Sequence, residues 1–112
     1  MRYVEGQVWE YRTRRGEERS LVKIQRIEAD SQTNAPIFHV SVSGLRGPHR
    51  KSLSHAPVSQ KTLDLSVTRL SNDKIYFPAA DEGIAEWKQA NGGVYSITLA
   101  EIVEAADFNP NV

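Results

Sequence analysis

The chain contains no cysteine among its 112 residues. Disulfides, thiolate nucleophiles and cysteine zinc sites are excluded, and with them a secreted scaffold held by disulfides. Long apolar runs are also missing. No window approaches the roughly 20 apolar residues of a membrane-spanning helix, and the opening Met1-Arg2-Tyr3-Val4-Glu5-Gly6 has no apolar stretch of the signal-peptide kind. The expectation is a cytoplasmic protein without membrane association. Histidine is scarce, and the positions 39, 49 and 55 fit neither the helical nor the strand spacing that brings two imidazoles to one metal. There is no Gly-x-Ser-x-Gly elbow. Gly44-Leu45-Arg46-Gly47-Pro48 has too few glycines for a phosphate loop and lacks the Lys-Ser/Thr that follows one. The acidic pairs Glu17-Glu18 and Asp81-Glu82 fall at a turn and a helix start, where solvation and backbone donors keep carboxylates ordinary. No catalytic residue, metal or cofactor is expected.

What is present suggests one α+β domain over residues 1–107 with a frayed tail at 108–112. A chain of this length buries roughly two thirds of its unfolded surface, enough for a single core. Gln7 to Arg14 alternates, with Trp9, Tyr11 and Thr13 on one side and Val8, Glu10, Arg12 and Arg14 on the other, the period of a strand. The polar tip Arg15-Gly16-Glu17-Glu18 leads into a second strand at 21–27. Its apolar positions shift from 22 and 24 to 27, which predicts a bulge near Gln25 or Arg26, or burial on both faces. After the turn formers between Asp30 and Pro36, residues 37–43 alternate most cleanly: Phe38, Val40 and Val42 face the core, and His39, Ser41 and Ser43 face solvent. Short connections between three such strands demand an antiparallel meander. Trp9, Tyr11 and Phe38 are assigned to the core rather than to an exposed stacking platform.

Residues 44–57 hold glycines, prolines, basic side chains and no acid, and read as a long cationic loop. From Ser59 as N-cap, Leu63, Val67 and Leu70 recur at helical intervals with Leu65 off the stripe, predicting a helix over 60–70. A short strand at 74–77 is ended by Pro78. Asp81 caps a second helix with Ile84 and Trp87 on its core face and Asn91-Gly92 as its stop. A strand at 94–97 precedes a third helix, which opens on the capping box Thr98-Leu99-Ala100-Glu101 and buries Leu99, Ile102, Val103 and Ala106. The class is therefore α+β: an N-terminal antiparallel β-meander, open or curled into a partly open small SH3-like barrel, covered by two or three short helices.

Basic and acidic side chains cancel at 14 each, but residues 1–69 carry 12 basic and 7 acidic groups while residues 70–112 carry 2 and 7. Arg12, Arg14, Arg15 and Arg19 surround the hairpin tip; Arg46, His49, Arg50, Lys51 and His55 fall in the acid-free loop. In one reading the acidic helices pack on the basic region and neutralise it, each exposed pair contributing ~0–1 kcal/mol. In the other these residues project from one edge to bind an acidic protein surface or phosphates, which the guanidinium fork suits. A head-to-tail contact between subunits would use the same dipole. The expected function is a non-enzymatic protein-interaction or regulatory module, acting through a protein partner or self-association. An RNA- or DNA-binding module using the same arginines with Trp9 or Tyr11 is the alternative, and the zero net charge weighs against it.

Gly6-Gln7-Val8-Trp9, Gly16-Glu17 and Arg19-Ser20-Leu21-Val22 together resemble the opening hairpin of the small SH3-like barrel endoribonucleases of toxin–antitoxin pairs. The resemblance spans residues 6–22 and implies a second alternative, a small ribonuclease. That family commonly places Arg-Pro before the second strand; here Arg19 is followed by Ser20. No counterpart of its later catalytic segment is present, so no catalytic role carries over.

Overall fold

A computed structural model describes residues 2–108. Strand β1 (Val8–Tyr11) pairs antiparallel with β2 (Leu21–Ala29), and β2 with β3 (Pro36–Ser43), which forms the expected meander. The β2–β3 ladder slips between Ile24 and Arg26, at the bulge the sequence predicts, and the extra residue turns Ile27 back toward the core.

Strand β4 (Ser52–Ser59) pairs with the far side of β3 and forms one edge of the sheet. This corrects the loop reading: only residues 44–51 form a loop, and His55 and Pro57 lie in a strand. An edge position suits Pro57, which has no N–H to give a neighbour. A register shift between Val40 and Val42 breaks the alternation of the buried Leu53, Ala56 and Val58, which hides this strand from a period-two reading.

Helix α1 (Gln60–Ser66) ends before the expected limit of 70, and β5 (Val67–Ser71) takes over and pairs with β1. Without β5 the outer edge of β1 would present unpaired backbone groups, and the β-branched pair Val67-Thr68 favours the extended form. Leu70, expected on the core stripe of a helix, is 51% exposed on the strand instead. The five strands make one open antiparallel sheet in the order β4-β3-β2-β1-β5.

No strand forms at 74–77. Residues 72–80 instead run as a strap against the sheet, held by side-chain donors: Ser43 Oγ to the Tyr76 carbonyl at 2.7 Å, Gln25 Nε2 to the Pro78 carbonyl at 3.2 Å, and Ser41 Oγ, whose one proton is shared between the Ser54 carbonyl at 2.7 Å and that of Pro78 at 3.0 Å. Helix α2 (Asp81–Gln89) packs on β4. Its N-cap is Ala80 rather than Asp81, which occupies the first turn with Glu82, where the helix dipole favours acids. The strand expected at 94–97 is reduced to one bridge between Tyr95 and Val58. Helix α3 (Leu99–Phe108) starts at the expected capping box, with Thr98 Oγ1 accepting the Glu101 N–H and Glu101 Oε1 accepting that of Thr98. Phe108, assigned to the tail, ends this helix; residues 109–112 of that expected tail lie outside the described residues.

The core lies between one sheet face and α1 with α3, and includes Trp9, Tyr11 and Phe38 as expected. Tyr3 seals it with edge-on contacts to Trp9 and Phe38, ring centroids 5.7 and 5.4 Å apart. The second face is not the solvent face anticipated for His39, Ser41 and Ser43. All three are buried, because the strap and α2 cover them. Among the described residues no helix is long and apolar enough to cross a membrane.

Candidate functional site

The hairpin tip (residues 12–20) and the loop 44–51 are locked side by side. Tyr11 donates its hydroxyl to Ser20 Oγ at 2.8 Å, since the Ser20 proton is engaged on the Ser43 carbonyl at 2.9 Å; burial pushes the Tyr11 hydroxyl up to about 12. Gly44 then passes so close that an added Cβ would sit 3.1 Å from the Cα of Ser20, and its φ of +84° also requires glycine. Leu45 closes the loop by donating its N–H to the Lys51 carbonyl at 3.0 Å.

Arg14 turns inward from the tip. Its Nε and Nη2 fork onto Glu17 at 2.7 Å each, and Nη1 reaches Glu104 at 2.8 Å and Asp107 at 3.2 Å. The bonds from Arg14 hold the Glu17 carboxyl below its usual range despite its burial, and the guanidinium is itself raised. Burial pushes Asp107 up, but the His49 N–H and Arg14 outweigh it and hold its pKa down. Glu17 also accepts the Arg46 N–H at 2.7 Å, and Asp107 the His49 N–H at 3.0 Å. The loop is thus fastened by its backbone while the side chains of Arg46 and His49 stay exposed.

The candidate binding residues therefore separate. Arg12 is exposed and donates to the Leu65 carbonyl at 3.0 Å; Arg50 is partly buried and donates to that of Ala106 at 2.7 Å. Arg15, Arg19, Arg46 and Lys51 are exposed and form no ion pair among the described residues. Arg19 and Arg46 border one hollow of about 410 Å³ with Gly16, Glu18 and Gly44. Glu18 is occupied by the Gly16 N–H at 2.7 Å.

His55 belongs to a different site. His39, at 0% exposure, places Nε2 2.8 Å from Glu28 Oε1 and Nδ1 2.8 Å from His55 Nε2. Burial pushes Glu28 up, but hydrogen bonds from His39 and Lys88 prevail and keep it ionised, with Lys88 Nζ at 3.1 Å. A carboxylate only accepts, so His39 carries its proton on Nε2, its Nδ1 accepts, and His55 donates from Nε2. The remaining lone pair of His55 is on Nδ1. Burial lowers His39 against the pull of Glu28, and burial with the neighbouring His39 lowers His55 to about 4, so both rings are neutral at pH 7. The two hydrogen-bonded imidazoles have planes 24° apart and centroids 5.0 Å apart, and Trp87 meets His39 edge-on at 4.9 Å.

This chain of three groups joins two clefts. His55 lines one of about 640 Å³ between β4 and α2, and Glu28 lines another of about 500 Å³ beside the 30–32 turn. Trp87 lines both; it is a half-buried partition and not the core anchor anticipated for α2. Gly83 lets the helix close on the site, since a Cβ there would fall 2.6 Å from that of His55. No group of three metal-ligating side chains occurs among the described residues.

The chain matches no family model, no curated protein and no solved structure. Function must be read from geometry. The sequence reading did not single out Glu28, and it assigned His39 to solvent and Trp87 to the core. One signal was present: the face formed by His39, Ser41 and Ser43 carries no charged residue, whereas a strand face open to water ordinarily does.

Proposed function

We propose that the protein is an interaction module whose rim, formed by Arg15, Arg19, Arg46 and Lys51, docks an acidic surface of a protein partner. The observation that carries this reading is the exposure of three guanidinium groups on two segments whose backbones are locked together. Charged groups presented from an ordered backbone lose less freedom on binding. They also steer the encounter with an oppositely charged surface, mainly through the association rate. A single-stranded nucleic acid would call for exposed aromatic faces beside the cations, and Trp9 and Tyr11 are buried in the core.

The test is capture from a lysate of the native cell by the wild-type protein and by the combined Arg15→Glu, Arg19→Glu and Arg46→Glu variant, with proteins and nucleic acids both identified. The wild type should retain a discrete acidic protein that the variant loses. Stability should stay within about 0.5 kcal/mol, as for surface substitutions away from caps and buried pairs. An unchanged set of captured proteins defeats the proposal; retention of RNA or DNA in place of a protein replaces it with the nucleic-acid reading.

A further inference from the structure

We propose that the cleft between β4 and α2 binds a small, largely apolar molecule bearing an acidic O–H, a phenol or an enol, which it donates to Nδ1 of His55. Its volume of about 640 Å³ is in the range of small-molecule sites. Leu53, Pro57, Ala90, Val94 and the aromatic Trp87 and Tyr95 supply apolar wall, and His55 lines it from the strand side. Among the described residues no buried side-chain nitrogen lacks a partner, so the unpartnered Nδ1 of His55 is accessible.

The lone pair on Nδ1 follows from the hydrogen-bond chain. Glu28 fixes the His39 tautomer, His39 fixes that of His55, and among the described residues the His55 ring forms no hydrogen bond other than the one to His39. The proton stays on the ligand, because burial holds both rings below the ordinary histidine value and a phenol is a weaker acid than either ring's cation. A phenol or enol O–H is nevertheless more acidic than that of a plain alcohol and so is the stronger donor to Nδ1, which is why the ligand class is a phenol or enol.

The experiment is nitrogen-detected NMR of the histidine rings in the whole protein, with 4-nitrophenol as probe. Both His39 and His55 should show a protonated Nε2 and a bare Nδ1. Adding 4-nitrophenol should move the His55 Nδ1 signal saturably. His55→Phe should abolish binding. Should that variant not fold, Gly93→Leu decides: Gly93 lines the cleft with open space where its Cβ would stand, so the larger side chain should weaken binding at least about tenfold, equivalent to 1.4 kcal/mol, with both tautomers unchanged. A protonated Nδ1 on His55 in the free protein, no movement of its signal at millimolar probe, or undiminished binding in Gly93→Leu would each overturn the proposal. The site is independent of the arginine rim, so the triple charge-reversal variant should bind 4-nitrophenol normally.

Discussion

Arg14 lies across three carboxylates while its neighbour Arg15 forms no ion pair among the described residues, and burial of the acids makes the difference matter. The Glu17 side chain is 3% exposed, so removing its partner strands a charge out of water. Arg14→Ala should lower the unfolding free energy in urea by about 3–5 kcal/mol, the usual consequence of breaking a buried pair. Arg14→Lys should recover only part, because an ammonium cannot fork onto both oxygens. Arg15→Ala should stay within about 0.5 kcal/mol. His39 and His55 give a second prediction at this scale. Their folded pKa values lie below the ordinary value of 6.5, so as pH falls through 6.5 the unfolded chain takes up protons the folded one refuses. Thermal stability should therefore decline from about pH 6.5, with a slope of at most about 1.4 kcal/mol per pH unit for each ring. For His55 the loss ends below about 4, where both states are protonated. Melting curves of His55→Gln should show a shallower decline over that window.

At the scale of elements, the strap is fixed by side chains and not by a ladder. Ser41, Ser43 and Gln25 reach up from the sheet to the carbonyls of Tyr76 and Pro78. Replacing Ser41 and Ser43 together by alanine should remove about 1 kcal/mol per hydrogen bond, and should open residues 72–79 to limited proteolysis while the core strands stay protected from hydrogen exchange. An unchanged cleavage pattern would show that the two serine hydroxyls do not hold the segment. The same elements explain how far the sequence could be read. The bulge near Gln25, the start of α3 at Thr98 and the meander of β1 to β3 depend on neighbours within a few residues, and all were legible. The α1-to-β5 change was not, because Leu63, Val67 and Leu70 satisfy helical spacing; the free edge of β1, far away in sequence, makes Val67 to Ser71 a strand.

At the scale of the whole molecule, the charge separation along the chain is neutralised in part across the fold, where Arg14 meets Glu104 and Asp107 and Arg26 meets Asp81. Of the exposed cations without an ion pair among the described residues, Arg15, Arg19, Arg46 and Lys51 gather on the rim, while Arg2, Arg12, Lys61 and Lys74 lie elsewhere. Capture by that rim should weaken as salt is raised, since exposed charges are screened beyond roughly 8 Å at physiological ionic strength. Of the candidate residues, the sequence showed where cations gather but not which of them face solvent. That depended on acids of α3 brought against the hairpin tip.

By itself the sequence determined the class, the antiparallel meander, the aromatic core and the capping of the last helix, because periodicity and local hydrogen bonding act over a turn or a strand pair. The tertiary structure alone decided the two outer strands, the burial of the serine and histidine face, the Glu28–His39–His55 chain and the division of the arginines. The physical reason is that unpaired strand edges and buried polar groups must find partners, and apart from β4, which folds back on β3 across the loop 44–51, those partners lie many residues away in this protein.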